Sequence, residues 1–329
     1  MKAVLVLEKE NDYFYPLVDR DKSTSFLPFS LESNLLSTIY SWVNSYFSKD
    51  KIFVCCKKGE EDLVVSSCFE IPEENIIIEP ERYSFSLSIF FTSIFIERIF
   101  NDSLSIFIPV NFLNPHTLNM KNWLLAIQEI IEKGWLVLPT FLLNRGEIFL
   151  PYVDAGKLVS SVKGVDFFAI EKIFNSKDSK RKIFGKQGGI TGLFAGKSKN
   201  IIEYFINSSK EHNIYKRLYN ILNSDIKWED IENLYKEIKK EDLFFDYFNN
   251  IENILTIFLD RKPEYLNDWN SLFNNVKSGS ENIFYGNVIS KNCRNVICFN
   301  YDNEKIELDS LKNLVIVKKN GNVAIKNIL

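Results

Sequence analysis

Five short apolar runs, at 3–7, 52–56, 75–78, 104–109 and 135–141, alternate with longer stretches whose apolar residues recur at helical spacing. The runs are bounded by polar or breaker residues, the pattern of strands buried on both faces of a parallel sheet. Between them, Leu35, Leu36, Ile39, Trp42 and Val43 mark one amphipathic helix, and Trp123, Leu124, Ile127, Ile130 and Ile131 mark another. Strands that alternate with helices in this way predict a doubly wound, mostly parallel α/β sheet. A further strand is expected at 165–170.

The pattern changes twice after that. From about 200 to 258 it is helical: Asp225 precedes Trp228, Ile231, Leu234, Tyr235 and Ile238, and Lys236, Lys239 and Lys240 sit towards the end, as the helix dipole favours. The last fifty residues are short β-like runs separated by Gly and Asn turns. The expected organisation is an α/β domain over 1–276 and a small all-β domain over 277–329.

Charge and cysteine content narrow the function. Lys+Arg 40 against Asp+Glu 43 leaves a net charge of −3, without the basic footprint of a nucleic-acid binder. The opening apolar stretch is too short for a secretory or spanning segment, and the run at 85–95 is broken by Ser86, Ser88, Thr92 and Ser93, so neither a membrane nor export is expected. Cys55, Cys56, Cys68, Cys293 and Cys298 fit reduced thiols of a cytoplasmic protein. Adjacent Cys55 and Cys56 face opposite ways in a strand and do not suit a shared metal. His116 and His212 are the only histidines, too few for a His-rich metal site.

A series of motifs runs along nearly the whole chain. After the first strand come Pro16-Leu17 and Phe26-Leu27-Pro28-Phe29, then Ser33-Asn34-Leu35-Leu36, Glu79-Pro80, Ile108-Pro109, Glu171-Lys172 and Gly192-Leu193-Phe194. Asp268-Trp269-Asn270-Ser271-Leu272, Asn282-Ile283-Phe284-Tyr285-Gly286-Asn287-Val288 and Leu311-Lys312-Asn313-Leu314-Val315-Ile316-Val317 close it. In order and spacing the series resembles the sugar-phosphate nucleotidyltransferases, closest to the mannose-1-phosphate guanylyltransferases. The resemblance implies a Rossmann-like, GT-A-like sheet and a C-terminal left-handed β-helix-like domain.

The departures from that pattern fall on the chemistry. Nucleotidyl transfer needs backbone N–H groups, cations and a metal around the reacting phosphates. Where the family has a glycine loop, this chain has Glu8, Lys9 and Asn11, and Tyr13 stands at the loop's arginine. Thr24 stands at the lysine of the P-K pair, Asn111 and Tyr265 at the two metal-binding aspartates, and Tyr83-Ser84-Phe85 at the nucleotide-contacting R-N-T. A neutral amide and a phenol do not replace two carboxylates on Mg²⁺. Ile190 replaces the asparagine of W-N-x-G, and Glu147-Ile148-Phe149-Leu150-Pro151 the sugar loop.

Glu171 and Lys172 keep the family's sugar-phosphate pair, although an exposed charge pair at a strand end would look the same. The glycines at 185, 188, 189 and 192 lack the strand–loop–helix setting of a phosphate cradle and are expected in a loop. The basic run at 177–182 and Asp260-Arg261-Lys262 are expected as surface charge. Together these residues imply a catalytically degenerate relative: a regulatory or structural subunit in nucleotide-sugar metabolism, with no cofactor, acting as a homodimer or beside an active paralogue. The alternative is a residual Mg²⁺-dependent enzyme or a sugar-nucleotide sensor that uses the old cleft.

Overall fold

A computed structural model of the chain describes residues 1–8, 14–29, 32–144, 151–174, 186–208, 212–224, 227–238, 252–276 and 281–327. Lys9, Asn11, Tyr13, Gly185, residues 147–150 and the basic run at 177–182 lie outside them.

The first half follows the expected alternation. β1 (Lys2–Val6) leads to α1 (Leu35–Asn44), β2 (Ile52–Lys57), α2 (Glu61–Ser67), β3 (Ile76–Glu79), α3 (Phe85–Phe100), β4 (Leu104–Pro109), α4 (Lys121–Glu132) and β5 (Leu136–Leu142). β1 pairs in parallel with both β2 and β4, and β2 with β3. Side chains of β1 serve both layers, as alternation along a strand requires. Ala3 and Leu5 pack with Leu36, Trp42 and Ile127 of α1 and α4, whereas Val4 and Val6 pack with Phe90, Phe91 and Ile94 of α3. Asn34 and Ser37 form a capping box at the start of α1, worth about 1 kcal/mol. The apolar run at 85–95 is the body of α3, whose small Ser86, Ser88, Thr92 and Ser93 are themselves buried. No helix among the described residues is long and apolar enough to cross a membrane.

The second half departs from a mostly parallel sheet. β6 (Tyr152–Val162), β7 (Val165–Phe174), β8 (Lys186–Ile190) and β9 (Phe194–Lys197) make antiparallel pairings throughout, and β9 lies between β4 and β5. The cause is local. Lys163 and Gly164 both have positive φ, +51° and +80°, as a tight two-residue hairpin between β6 and β7 requires. Of the glycine-rich stretch, expected in a loop, Gly188 and Gly189 lie instead in strand β8, which pairs antiparallel with β5, and Gly192 lies in the turn before β9. A Cβ on Gly188 would lie 2.7 Å from Thr140 Cβ, and one on Gly189 2.7 Å from Phe141 Cε1.

α5 (Ser198–Ser208), α6 (His212–Leu222) and α7 (Trp228–Glu237) supply the expected helical addition, and their Phe205, Tyr215, Leu218 and Leu234 extend the α3 layer. The helical reading fails before 258, however, because β10 (Ile254–Leu259) is a strand parallel to β5 and antiparallel to β7. A six-residue run with five apolar residues and no visible period does not distinguish strand from helix. With β10 in place, β5, β8, β6, β7 and β10 close on themselves.

The expected boundary at 277 falls outside the described residues. α8 (Trp269–Val276) precedes it, and β11 (Ile283–Tyr285), β12 (Val288–Lys291), β13 (Arg294–Asn300), β14 (Ile306–Asp309), β15 (Lys312–Lys319) and β16 (Asn322–Asn327) follow. β11, β13 and β15 stack in parallel, β12 and β14 form a second parallel pair, and β16 folds back on β15. The inner face of the larger sheet shares one apolar core with α8 and with Phe14, Val18, Leu27 and Leu113. All five cysteines are buried free thiols.

Candidate functional site

Open parallel sheets bind ligands at the carboxyl ends of their strands. Here the ends of β1 to β4 are occupied by the protein's own polar groups. The Glu8 amide donates to Ser25 Oγ at 2.9 Å, and the Glu8 carbonyl accepts from Arg82 Nη1 at 2.7 Å and from the Ser23 hydroxyl. Ser23 Oγ also accepts from the Ser25 amide, and Ser25 Oγ donates to the Val110 carbonyl at 3.3 Å. Thr24 lies inside this tight turn, 7% exposed, and its carbonyl accepts the Leu27 amide.

Below the turn lies a buried ionic cluster that the sequence reading missed. Arg82 Nη2 donates to Glu60 Oε2 at 2.7 Å, and Glu60 also accepts the backbone N–H groups of Ser23 and Lys57. Glu79 accepts from Ser88 Oγ at 2.7 Å and from the Tyr235 hydroxyl at 3.4 Å, with Arg82 Nε 3.9 Å away. Glu60 and Glu79 are fully buried, and Arg82 nearly so. Burial pushes the Glu79 carboxyl up to about 7, although Arg82 and the two hydroxyls favour its ionised form. Burial alone would lower Arg82, but the Glu60 and Glu79 carboxylates outweigh it and raise the guanidinium further. Ser84 caps α3, so the arginine at this strand end is Arg82, one residue before the Tyr83 matched to R-N-T. The available signal was the i,i+3 spacing of Glu79 and Arg82 beside a strand end.

Asn111 and Tyr265 are brought together on neighbouring segments. Phe112 and Tyr265 form an antiparallel bridge, and the Leu266 amide donates to the Asn111 carbonyl at 2.8 Å. Glu264 fixes the same join through its carbonyl to the Leu113 amide and its carboxylate to Asn114. Asn111 Oδ1 is buried and meets no hydrogen-bond partner among the described residues. The Tyr265 ring packs at 5.6 Å from Phe112, and burial pushes its phenol up. Among the described residues no group of three or more His, Cys, Asp and Glu side chains could hold a metal ion.

Glu171 and Lys172 lie apart, exposed on β7. Asp154 pairs with Lys172 and Ala155 with Ile170, so Glu171 is the extra residue of a β-bulge, a device that re-aims side chains. Its side chain folds over Gly156, where a Cβ would lie 2.6 Å from Glu171 Cγ. Lys172 Nζ sits 4.5 Å above the Phe174 ring. Asp260 and Arg261, expected as plain surface charge, line a pocket of about 320 Å³ with His116, Asn119, Trp123 and Leu259.

No family model matches the chain, and no curated protein matches it in sequence. Solved structures do match. The mannose-1-phosphate geranyltransferase of Thermus thermophilus superposes at a TM-score of 0.71 with 13% identity, covering 99% of this chain and 94% of that one. The mannose-6-phosphate isomerase of Helicobacter pylori does so at 0.54 with 13% identity, covering 80% of this chain and 99% of that one. At 13% identity the likeness is one of fold, a mixed α/β fold shared over nearly the whole of this chain.

Proposed function

We propose that the chain is a catalytically degenerate relative of the mannose-1-phosphate guanylyltransferases, a cytoplasmic regulatory or structural subunit in nucleotide-sugar metabolism. The parallel β1–β4 layer supports a Rossmann-like, GT-A-like reading of the first domain. The alternation of β11–β15 between two parallel sheets supports a β-helix-like tail. The observation that carries the function is self-satisfaction of the strand ends. Glu8, Ser23, Ser25, Arg82 and Glu60 bond one another where an active relative would bond phosphates. Among the described residues Arg82 is the one arginine at this cluster, and its charge is spent on the buried carboxylate of Glu60 at 2.7 Å. Asn111 and Tyr265 bring no negative charge to a strongly hydrated dication, so Mg²⁺ has no site between them.

A phosphate-stabilising donor is typically worth ~3 kcal/mol, about a hundredfold in rate. With the P-K lysine and both carboxylates replaced, no GDP-mannose should form from GTP and mannose 1-phosphate in a coupled pyrophosphate-release assay. Mg²⁺-dependent turnover above background would overturn the reading. The subunit role predicts a homodimer, or a mixed species with an intact guanylyltransferase, in light scattering at tens of micromolar. The alternative, a sugar-nucleotide sensor, draws support from the pocket beside Trp123, where an aromatic residue, Asp260 and Arg261 line one cavity. A thermal shift with GDP-mannose that is lost in Trp123→Ala would favour it.

A further inference from the structure

The cluster at the end of β3 contains two carboxyl groups and one guanidinium, and only one of the carboxyls takes the cation. Glu60 holds Arg82 Nη2 at 2.7 Å and has two backbone N–H donors besides. Glu79 is left with neutral partners, Ser88 and Tyr235. Arg82 Nε is buried and meets no acceptor among the described residues, while Glu79 Oε1 lies 3.9 Å away, beyond hydrogen-bond reach. A buried donor without an acceptor is costly, and here the group that would satisfy it stands about 1 Å too far off.

We propose that Glu79 and Arg82 form a two-position proton switch built into the floor of the strand-end site. With Glu79 protonated, the acid rests on Ser88 and Tyr235, and Arg82 holds the Glu8 carbonyl. When Glu79 releases its proton to solvent, the carboxylate closes on Arg82 Nε and the guanidinium turns away from Glu8. One proton leaves, and no covalent bond changes.

The groups facing Glu79 are Arg82 from its own segment, Glu60 before α2, Cys55 and Cys56 from β2, Ser88 from α3 and Tyr235 from α7. Burial pushes Cys55, Cys56 and Tyr235 up, so these three stay neutral near pH 7. Burial pushes Glu79 up to about 7, which places its transition near neutrality. Two distant elements feel the change. Glu8 lies just beyond the end of β1, and Tyr235 belongs to α7, which Lys58 also ties to the end of β2 through Glu232 at 2.8 Å. The switch therefore links the strand-end site to the helical addition.

The test is amide and arginine side-chain NMR on the ¹⁵N-labelled full chain from pH 5.5 to 8.5. The Arg82 Nε–H and Glu8 amide signals should shift together, with one midpoint near 7, and Glu79→Gln should freeze both at their low-pH positions. Ser88→Ala removes a bond that favours the ionised acid, so it should move the shared midpoint upward in a protein that keeps its charge pattern. Glu307→Gln, on the exposed tail, should change nothing. Arg82 Nε–H and Glu8 signals that stay flat across this range overturn the switch. So does a transition that survives in Glu79→Gln, or a midpoint that Ser88→Ala leaves in place.

Discussion

Replacing Arg82 by methionine removes the single cation from a site in which Glu60 and Glu79 are both fully buried. Methionine fills most of the arginine stem's volume, so the loss is one of charge and hydrogen bonds more than of packing. Glu60 keeps two backbone donors, but its charge is left uncompensated, and the Glu8 carbonyl loses its 2.7 Å donor. Breaking a buried pair in this way costs about 3–5 kcal/mol. That is about a fifth or more of the stability of an ordinary domain, ~5–15 kcal/mol. Glu60→Gln should cost a similar amount, because it strands Arg82 with Glu79 at 3.9 Å. The double variant strands neither group, so it should lose less than the two singles together. A coupling of about 2 kcal/mol in a urea-denaturation cycle is expected. The exposed Arg217–Glu237 pair, although it makes two short hydrogen bonds, should show far weaker coupling, since water screens both partners. Single losses below about 1 kcal/mol, or effects of Arg82 and Glu60 that simply add, would refute the account of this cluster.

Three further outcomes follow from the same geometry. Glu79 binds its proton more tightly folded than unfolded, so it makes the wild type lose stability as pH rises from the ordinary carboxyl range through about 7. Glu79→Gln should lack that descent in urea midpoints measured from pH 5 to 8, and parallel curves would sink the assignment. Gly188→Ala forces a methyl group against Thr140 and should cost about 1–3 kcal/mol in chemical denaturation; an unchanged midpoint would mean that β8 does not lie so close to β5. Thr24→Lys adds a cation at the position matched to the lysine of the resembled P-K pair, but without the room to use it. At 7% exposure the new ammonium is buried beside Ser23 and Ser25, so lower stability and no gain in pyrophosphate release are expected.

Much of the first half was legible because parallel strands buried on both faces leave an unambiguous signature. Ala3 to Leu7 and the Leu36–Trp42 spacing are two views of the same core. The second half was harder because its evidence is local and easily misread. Lys163-Gly164 is a hairpin signal only when both flanks are already known to be strands. The glycines at 188 and 189 have the composition of a loop, but they are small because Thr140 and Phe141 fill the space above them. β10 was hidden in a run that suits a buried helix equally well. At the site, motif spacing brought Asn111 and Tyr265 to the same place, as the structure does. The Glu60–Arg82–Glu79 cluster could not be read, because burial is a property of the folded chain, and the cation bonds back to Glu8, which is 74 positions away.

The core shared by the tail and the segment after β1 makes the two ends of the chain mutually dependent. Phe14, Val18 and Leu27 are covered by Trp269, Leu272, Ile297, Phe299 and Val315, so the loop that borders the site is nailed to the C-terminal sheet. Any movement of that loop away from the tail would drag a wedge of aromatic rings into water. A chain truncated after residue 276 would shed the tail strands and bare the apolar side chains beneath them. It should therefore behave as a sticky, protease-sensitive fragment and not as an independent module.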